Sequence, residues 1–383
     1  MVSSRDDRRR AYLHIGLPKT GTTFLQEVLF ARRSELRDAG MLYPAPYREA
    51  MFHAAVELRG SAKTWGLDKG RISGTWARIA EAMRSFDGDA VFSHEILGNA
   101  TSQQIKTALA DLPDRDVHVV LTARDPGRQI TAQWQEGVKN GGQTGFAEFL
   151  ERIRADLEHG SLKGGFWRVQ ELPRVLSRWT AQVPPENVHV VVAPRPGADR
   201  LELWRRFADS LGLDPDAYST ETGRSSNESL GSAQSALLRD VNAALDGRLV
   251  RPPYTYVVKR FFAQKVLPRQ RSARLSIPAD MYKPVRALAG EWVAHIESAG
   301  YVVHVDLADL LPVPPDTGEA QVELPYEERY AAATEAIAEL LLEISRLREN
   351  RSTTLLRRLA SEPRVRGVID RVRGVGARQP EDG

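Results

Sequence analysis

Ala11-Tyr-Leu-His-Ile-Gly-Leu-Pro-Lys-Thr-Gly-Thr-Thr-Phe24 is the stretch that decides the fold of this 383-residue chain. An apolar run of strand type ends at Gly16, and Pro18, Lys19, Thr20 and Gly21 make a loop. After the hydroxyl pair Thr22 and Thr23, the apolar positions Phe24, Leu25, Val28 and Leu29 take up helical spacing. Strand, glycine-bounded loop and helix together make an anion cradle. The glycines let the backbone curl with its N–H groups inward, and the first helical turn adds unpaired amides and the positive end of its dipole. Lys19 adds a full charge. Gly16 and Gly21 have the spacing of the nucleoside-triphosphatase pattern, but Thr22 stands where that pattern puts its lysine, and the lysine has moved inside the loop.

Outward from this stretch the pattern alternates strand and helix. A helix is expected over about 22–38, a short strand at 40–44, helices near 48–60 and 72–86, and a strand at 90–95 ending Ser93-His94-Glu95. A helix near 102–111 leads to Asp116-Val-His-Val-Val-Leu-Thr-Ala123, continuous enough in apolar residues for a strand buried on both faces. Arg124 closes that strand, and Pro126 sits where a helix would start. Residues 136–144 read as a glycine-rich loop, either a lid or an exposed connection. Helices at 146–158 and 167–181, a strand at 187–193 and helices at 199–211 and 231–245 follow. Arg224, in the loop before the last of these, stands among hydroxyl and amide donors suited to a phosphate or adenine; Ser226 or Asn227 reads equally as a helix cap.

The alternation predicts a three-layer P-loop-type α/β fold with a mainly parallel sheet flanked by helices. This domain is expected over 1–313, with a proline-rich linker at 314–325 and a basic helical C-terminal extension at 326–383. From Arg346 on, ten arginines face five acidic residues. Packing on its own domain or homo-oligomer formation is expected of the extension ahead of contact with a membrane surface.

Composition bounds the function. The chain has no cysteine, which excludes disulfides, thiolate metal sites and thiol nucleophiles. A net charge of +3 is small for this length and does not point to nucleic acid. The N-terminus leads into a core strand with no export signal, and no apolar run approaches a membrane span, so a cytoplasmic protein is expected.

The variant P-K-x-G-T-T at 18–23, between strand and helix, resembles the 5′-phosphosulfate loop of sulfotransferases that use 3′-phosphoadenosine-5′-phosphosulfate (PAPS). Ser93-His94-Glu95 resembles the Ser-Ser-Glu strand end of many bacterial members. Arg124 with Pro126 resembles their 3′-phosphate segment, in which a serine lies eight residues after the arginine. Here that place holds Ala132, and Thr131 falls one position early, a rotation of about 100° on a helix. Arg128 and Gln129 are nearby donors that could stand in. The resemblance implies transfer of a sulfuryl group from PAPS to a hydroxyl or amine of a small-molecule or carbohydrate acceptor, with no metal. It implies that Pro18, Lys19, Thr20, Gly21, Thr22 and Thr23 hold the phosphosulfate, that Arg124, Thr131 and Arg224 hold the rest of the donor, and that Glu95, ahead of His94, is the base. Two other readings stand beside it: a nucleotide phosphotransferase on the same fold, and a non-catalytic module that binds PAPS or its bisphosphate product.

Overall fold

Strands β1 (Arg10–His14), β2 (Met41–Leu42), β3 (Asp89–Ser93), β4 (Asp116–Ala123), β5 (Val188–Val192) and β6 (Val302–Val303) form one sheet in the order β2-β3-β1-β4-β5-β6. Every neighbouring pair is parallel. The structure, a computed structural model, describes residues 9–222, 230–270, 272–304, 306–314 and 325–361, with side chains through 347. Parallel strands need long crossovers, and helices supply them here, covering the sheet on both sides. The protein is therefore an α/β fold with a mainly parallel sheet flanked by helices. Leu13, Ile15, Leu17, Val119, Leu121 and Val190 are all fully buried in the core, each such side chain stabilising the fold by about 1.5–3 kcal/mol.

The strand order positions the site. β1 lies between β3 and β4, with His14 opposite both Ser93 and Val120. The chain builds to one side of β1 and then crosses to the other, so a crevice opens beyond the carboxyl ends of these strands. The loop at 16–21 occupies it, between the ends of β3 and β4.

Several expected elements differ in extent. The helix predicted over 22–38 is two, Thr22–Ala31 and Arg33–Asp38. They part at Arg32, whose guanidinium reaches across to Ser219 O (2.8 Å) and Glu221 O (3.0 Å). The helix predicted over 167–181 is divided at Glu171, where Leu172–Thr180 starts afresh with a proline in its first turn and the Glu171 carboxylate accepting from Arg174 N at 2.7 Å. The expected loop at 136–144 is a correction of more consequence. The helix Pro126–Lys139 runs through its first four residues. Gly137 inside the helix costs about 1 kcal/mol, which burial of Trp134, Gln135 and Val138 on the same helix outweighs.

The C-terminal helix Tyr326–Ser361 turns its small residues Ala332 and Ala336 to the domain. Arg269 bonds Glu339 (2.7 Å) and Glu343 (3.1 Å), and Arg329 pairs with Asp240 at 3.3 Å. Its apolar stripe of Ile337, Leu341, Ile344 and Leu347 faces outward. No helix among the described residues is long and apolar enough to cross a membrane.

A row of imidazoles ties the short β6 to the sheet. His118 Nδ1 lies 2.8 Å from His189 Nε2, and His189 Nδ1 lies 2.9 Å from His304 Nε2. The row ends on carboxylates, Asp116 at 3.2 Å and Asp209 at 2.6 Å. Burial, then the neighbouring His118 and His304, pushes His189 down to about 3.

Candidate anion site and its two flanks

The loop's shape comes from three left-handed residues, Gly16 (φ 28°), Lys19 (φ 71°) and Gly21 (φ 93°). A lysine in that region costs about 1–2 kcal/mol, so the surroundings must hold it there. They do so by engaging the loop's carbonyl oxygens, one from within the loop and two from outside. Thr20 Oγ1 donates to Leu17 O (2.7 Å), and Gln129 Nε2 and Gln170 Nε2 donate to Pro18 O (2.7 and 3.2 Å). Arg124 Nη1 donates to Lys19 O at 3.2 Å. With three successive carbonyls turned outward, the N–H groups face the other way. Among the described residues, the amides of Lys19, Gly21, Thr22 and Thr23 donate to no protein acceptor. The helix Thr22–Ala31 has no side-chain cap at Gly21. Helices starting at Ser102 and Pro126 are capped by Thr101 and Asp125. The loop therefore presents unpaired donors and a positive helix end at one point.

Beneath it a buried polar chain joins β3, β1 and β4. Thr20 spends its hydroxyl proton on Leu17 O, so across the 2.7 Å contact with Thr122 it accepts. Thr122 then accepts from His14 Nε2 at 3.1 Å, and His14 Nδ1 accepts from Ser93 Oγ at 2.7 Å. The directions as far as His14 Nε2 follow from the first bond, and a neutral His14 makes Ser93 the donor at Nδ1. Burial agrees, pushing the His14 imidazole down to about 3. Space here is tight: a Cβ on Gly16 would stand 2.6 Å from Thr122 Oγ1 and 2.7 Å from Thr22 Cγ2.

At the end of β3 the structure changes the terms of the expected choice between His94 and Glu95. Strand alternation would send them to opposite faces, but β3 ends at Ser93 and a 3₁₀ turn begins at Glu95. Both side chains consequently lie beside the helix that follows the loop. Glu95 Oε2 accepts from Gln26 Nε2 at 3.0 Å and stands 3.7 Å from His94 Nδ1. Burial pushes the Glu95 carboxyl up, but His94, its own amide, Gln26 and Thr22 together hold it below the usual carboxylate range. His94 Nδ1 accepts from Ile96 N at 3.3 Å. Burial also pushes His94 below the usual imidazole range, against the pull of Glu95. A neutral His94 accepting at Nδ1 carries its proton on Nε2 and is a donor there. His94 also borders a cavity of about 190 Å³ shared with Thr23, Gln26, Tyr43, Arg48 and Phe52.

At the end of β4, Arg124 is mostly buried; burial, then Arg128, pushes its guanidinium down to about 10. Among the described residues its Nε has no hydrogen-bond partner, nor has Arg128 Nη2. Arg128 is otherwise held by the Asp125 carboxylate and by Pro194 O at 2.9 Å. Thr131 donates its hydroxyl proton to Arg128 O at 3.0 Å, back into its own helix. Gln129, named as a stand-in for the missing serine, instead holds the loop at Pro18. Arg224 lies outside the described residues.

Three charged residues near the loop were not singled out from the sequence. Lys19 Nζ donates to Glu136 Oε2, and Lys259 Nζ donates to Glu136 Oε1 at 2.7 Å. Lys139, three residues on, is buried beside them. Spacing along the chain carries no sign of this, since Lys19 and Glu136 are 117 residues apart.

No protein-family model matches the chain, and no curated protein does. Among solved structures, the chain is similar to a crystal structure of a sulfotransferase from Alicyclobacillus acidocaldarius, at 16% identity and a TM-score of 0.37, over 63% of this chain and 95% of that one. At that level of similarity nothing about this chain's activity follows from it.

Proposed function

We propose that this protein is a sulfotransferase that moves a sulfuryl group from PAPS to a hydroxyl or amine of a small-molecule or carbohydrate acceptor. The observation that carries the reading is the loop: three carbonyls tied outward, unpaired amides at 19 and 21–23, and a lysine within the turn instead of after it. That arrangement suits the sulfated phosphate of an adenylate held largely by main chain.

Each residue then has a task. The amides of Thr22 and Thr23 and the Thr23 hydroxyl bind the phosphosulfate, while the Thr22 hydroxyl is spent on Glu95. Lys19 neutralises the charge that develops on the bridging oxygen as the S–O bond breaks, a preorganised electrostatic contribution. Arg124, with a buried Nε to spare, orients the donor through its 3′-phosphate. Glu95 accepts the acceptor's proton as its oxygen or nitrogen bonds to sulfur; its lowered pKa keeps it ionised at neutral pH. His94, a donor at Nε2, orients the acceptor from the wall of the adjoining cavity.

The test is incubation with ³⁵S-labelled PAPS and a metabolite extract, followed by mass detection of labelled products. Sulfated products that disappear with Lys19→Ala support the reading. Release of free sulfate alone, or transfer only from a nucleoside triphosphate with magnesium, refutes it.

A further inference from the structure

One carboxylate beside the loop serves several ammonium groups. Glu136 Oε2 accepts from Lys19 Nζ, while Oε1 accepts from Lys259 Nζ (2.7 Å) and Asn140 Nδ2 (2.9 Å). Lys139 lies within electrostatic reach of all three, and burial, then Lys19, pushes its ammonium down to about 8 in spite of Glu136. The four residues come from three separate segments: the loop, the helix Pro126–Lys139 and the helical segment Thr255–Val266. Three ammonium groups against one carboxylate leave two positive charges in a patch where Lys139 is buried and the other groups are half-buried. Such a surplus is costly unless an anion compensates it. Glu136 itself is held down to about 2, burial opposing and Lys19 and Lys259 prevailing, so it stays charged at any ordinary pH. It therefore competes for Lys19 with whatever anion the loop binds.

We propose that Glu136 is the resident counterion of a dianion site built by Lys19, Lys139 and Lys259, and that a ligand's phosphoanhydride-like dianion takes its place at Lys19. The identification of that dianion as the sulfated phosphate of PAPS rests on the proposed function; the displacement itself does not. Lys259 and Asn140 keep hold of Glu136 Oε1, so the carboxylate is drawn aside without being left unpaired. The surplus of two charges sets the selectivity, favouring a dianion over a monoanion such as a simple carboxylate.

Calorimetric titration of inorganic pyrophosphate and of adenosine 3′,5′-bisphosphate, without metal, tests this on wild type, Glu136→Gln and Lys139→Met. Removing the competing charge should tighten pyrophosphate by about tenfold in Glu136→Gln and steepen its salt dependence. Lys139→Met should weaken it by a similar factor. Glu136→Asp, whose shorter side chain withdraws from Lys19, should tighten binding several-fold and serves if the glutamine variant does not fold. Unchanged or weaker pyrophosphate binding in a folded Glu136 variant overturns the proposal, as does the absence of pyrophosphate binding in all the proteins. If pyrophosphate behaves as expected but the bisphosphate binds none of them, the counterion role stands and the PAPS reading falls. If the bisphosphate binds wild type and the Glu136 variants alike, the counterion role falls and the PAPS reading stands.

Discussion

His14 Nε2 stands 3.1 Å from Thr122 Oγ1, directly under the anion loop, and it is the donor in that bond. Full burial of the ring disfavours a second proton on it, so the loop's foundation depends on a neutral histidine. In the unfolded chain this imidazole titrates near 6.5, whereas in the fold it is held down to about 3. Below pH 6.5 the unfolded state takes up the proton first, so stability is complete above that pH and is lost as pH falls toward 3. His189 in the imidazole row adds to the loss in the same direction. From His14 alone the cost at pH 5 is about 2 kcal/mol relative to pH 7. Urea unfolding midpoints at pH 7, 6 and 5 should fall accordingly, and His14→Gln should flatten part of that slope. A midpoint independent of pH over this range would contradict the neutral assignment.

Gly16 has no room for a side chain. An alanine there would meet Thr122, Thr22 and His14 together while adopting φ 28°. Gly16→Ala should destabilise the fold by about 2–4 kcal/mol, the sum of overpacking and left-handed strain. A thermal midpoint within a degree of wild type would show that the loop gives way more easily than its contacts imply.

Arg124 and Thr131 should separate cleanly. Thr131 uses its hydroxyl inside its own helix, so Thr131→Val should leave the affinity for adenosine 3′,5′-bisphosphate within about twofold. Arg124→Ala removes a charge-assisted partner and should weaken it by about a hundredfold. Fluorescence or calorimetric titration of both variants decides this; equal losses would return Thr131 to the donor site.

Glu95→Gln should lower the rate of transfer by about 10²- to 10⁴-fold with little change in donor affinity. His94→Ala should act mainly on the apparent affinity for acceptor, because its free nitrogen is a donor. Single-turnover kinetics with labelled PAPS separate the two, and the reverse pattern would make His94 the base.

Much of the fold was legible because strands buried on both faces write themselves as apolar runs, as 116–123 and 187–193 do. The strand-loop-helix at 11–31 was legible because its glycines and hydroxyls stand at fixed spacing. What sequence hid was tertiary. Gly137 suggested a loop where packing enforces a helix, and with it Glu136 and Lys139 were lost from view. The Lys19–Glu136–Lys259 contact joins residues more than a hundred positions apart. The row His118–His189–His304 exists because strand register brings three separate segments side by side. The glutamines that hold Pro18 O belong to helices whose relation to the loop only the strand order decides.

The central claim is that the turn at 16–23 grips the sulfated end of an adenylate. Calorimetric titration of adenosine 3′,5′-bisphosphate against wild type and Lys19→Ala, in the presence of a chelator, tests it most directly. The account predicts saturable binding without metal, weakened about a hundredfold in the variant. No heat from the bisphosphate, with saturable binding of ATP only when magnesium is supplied, would contradict it.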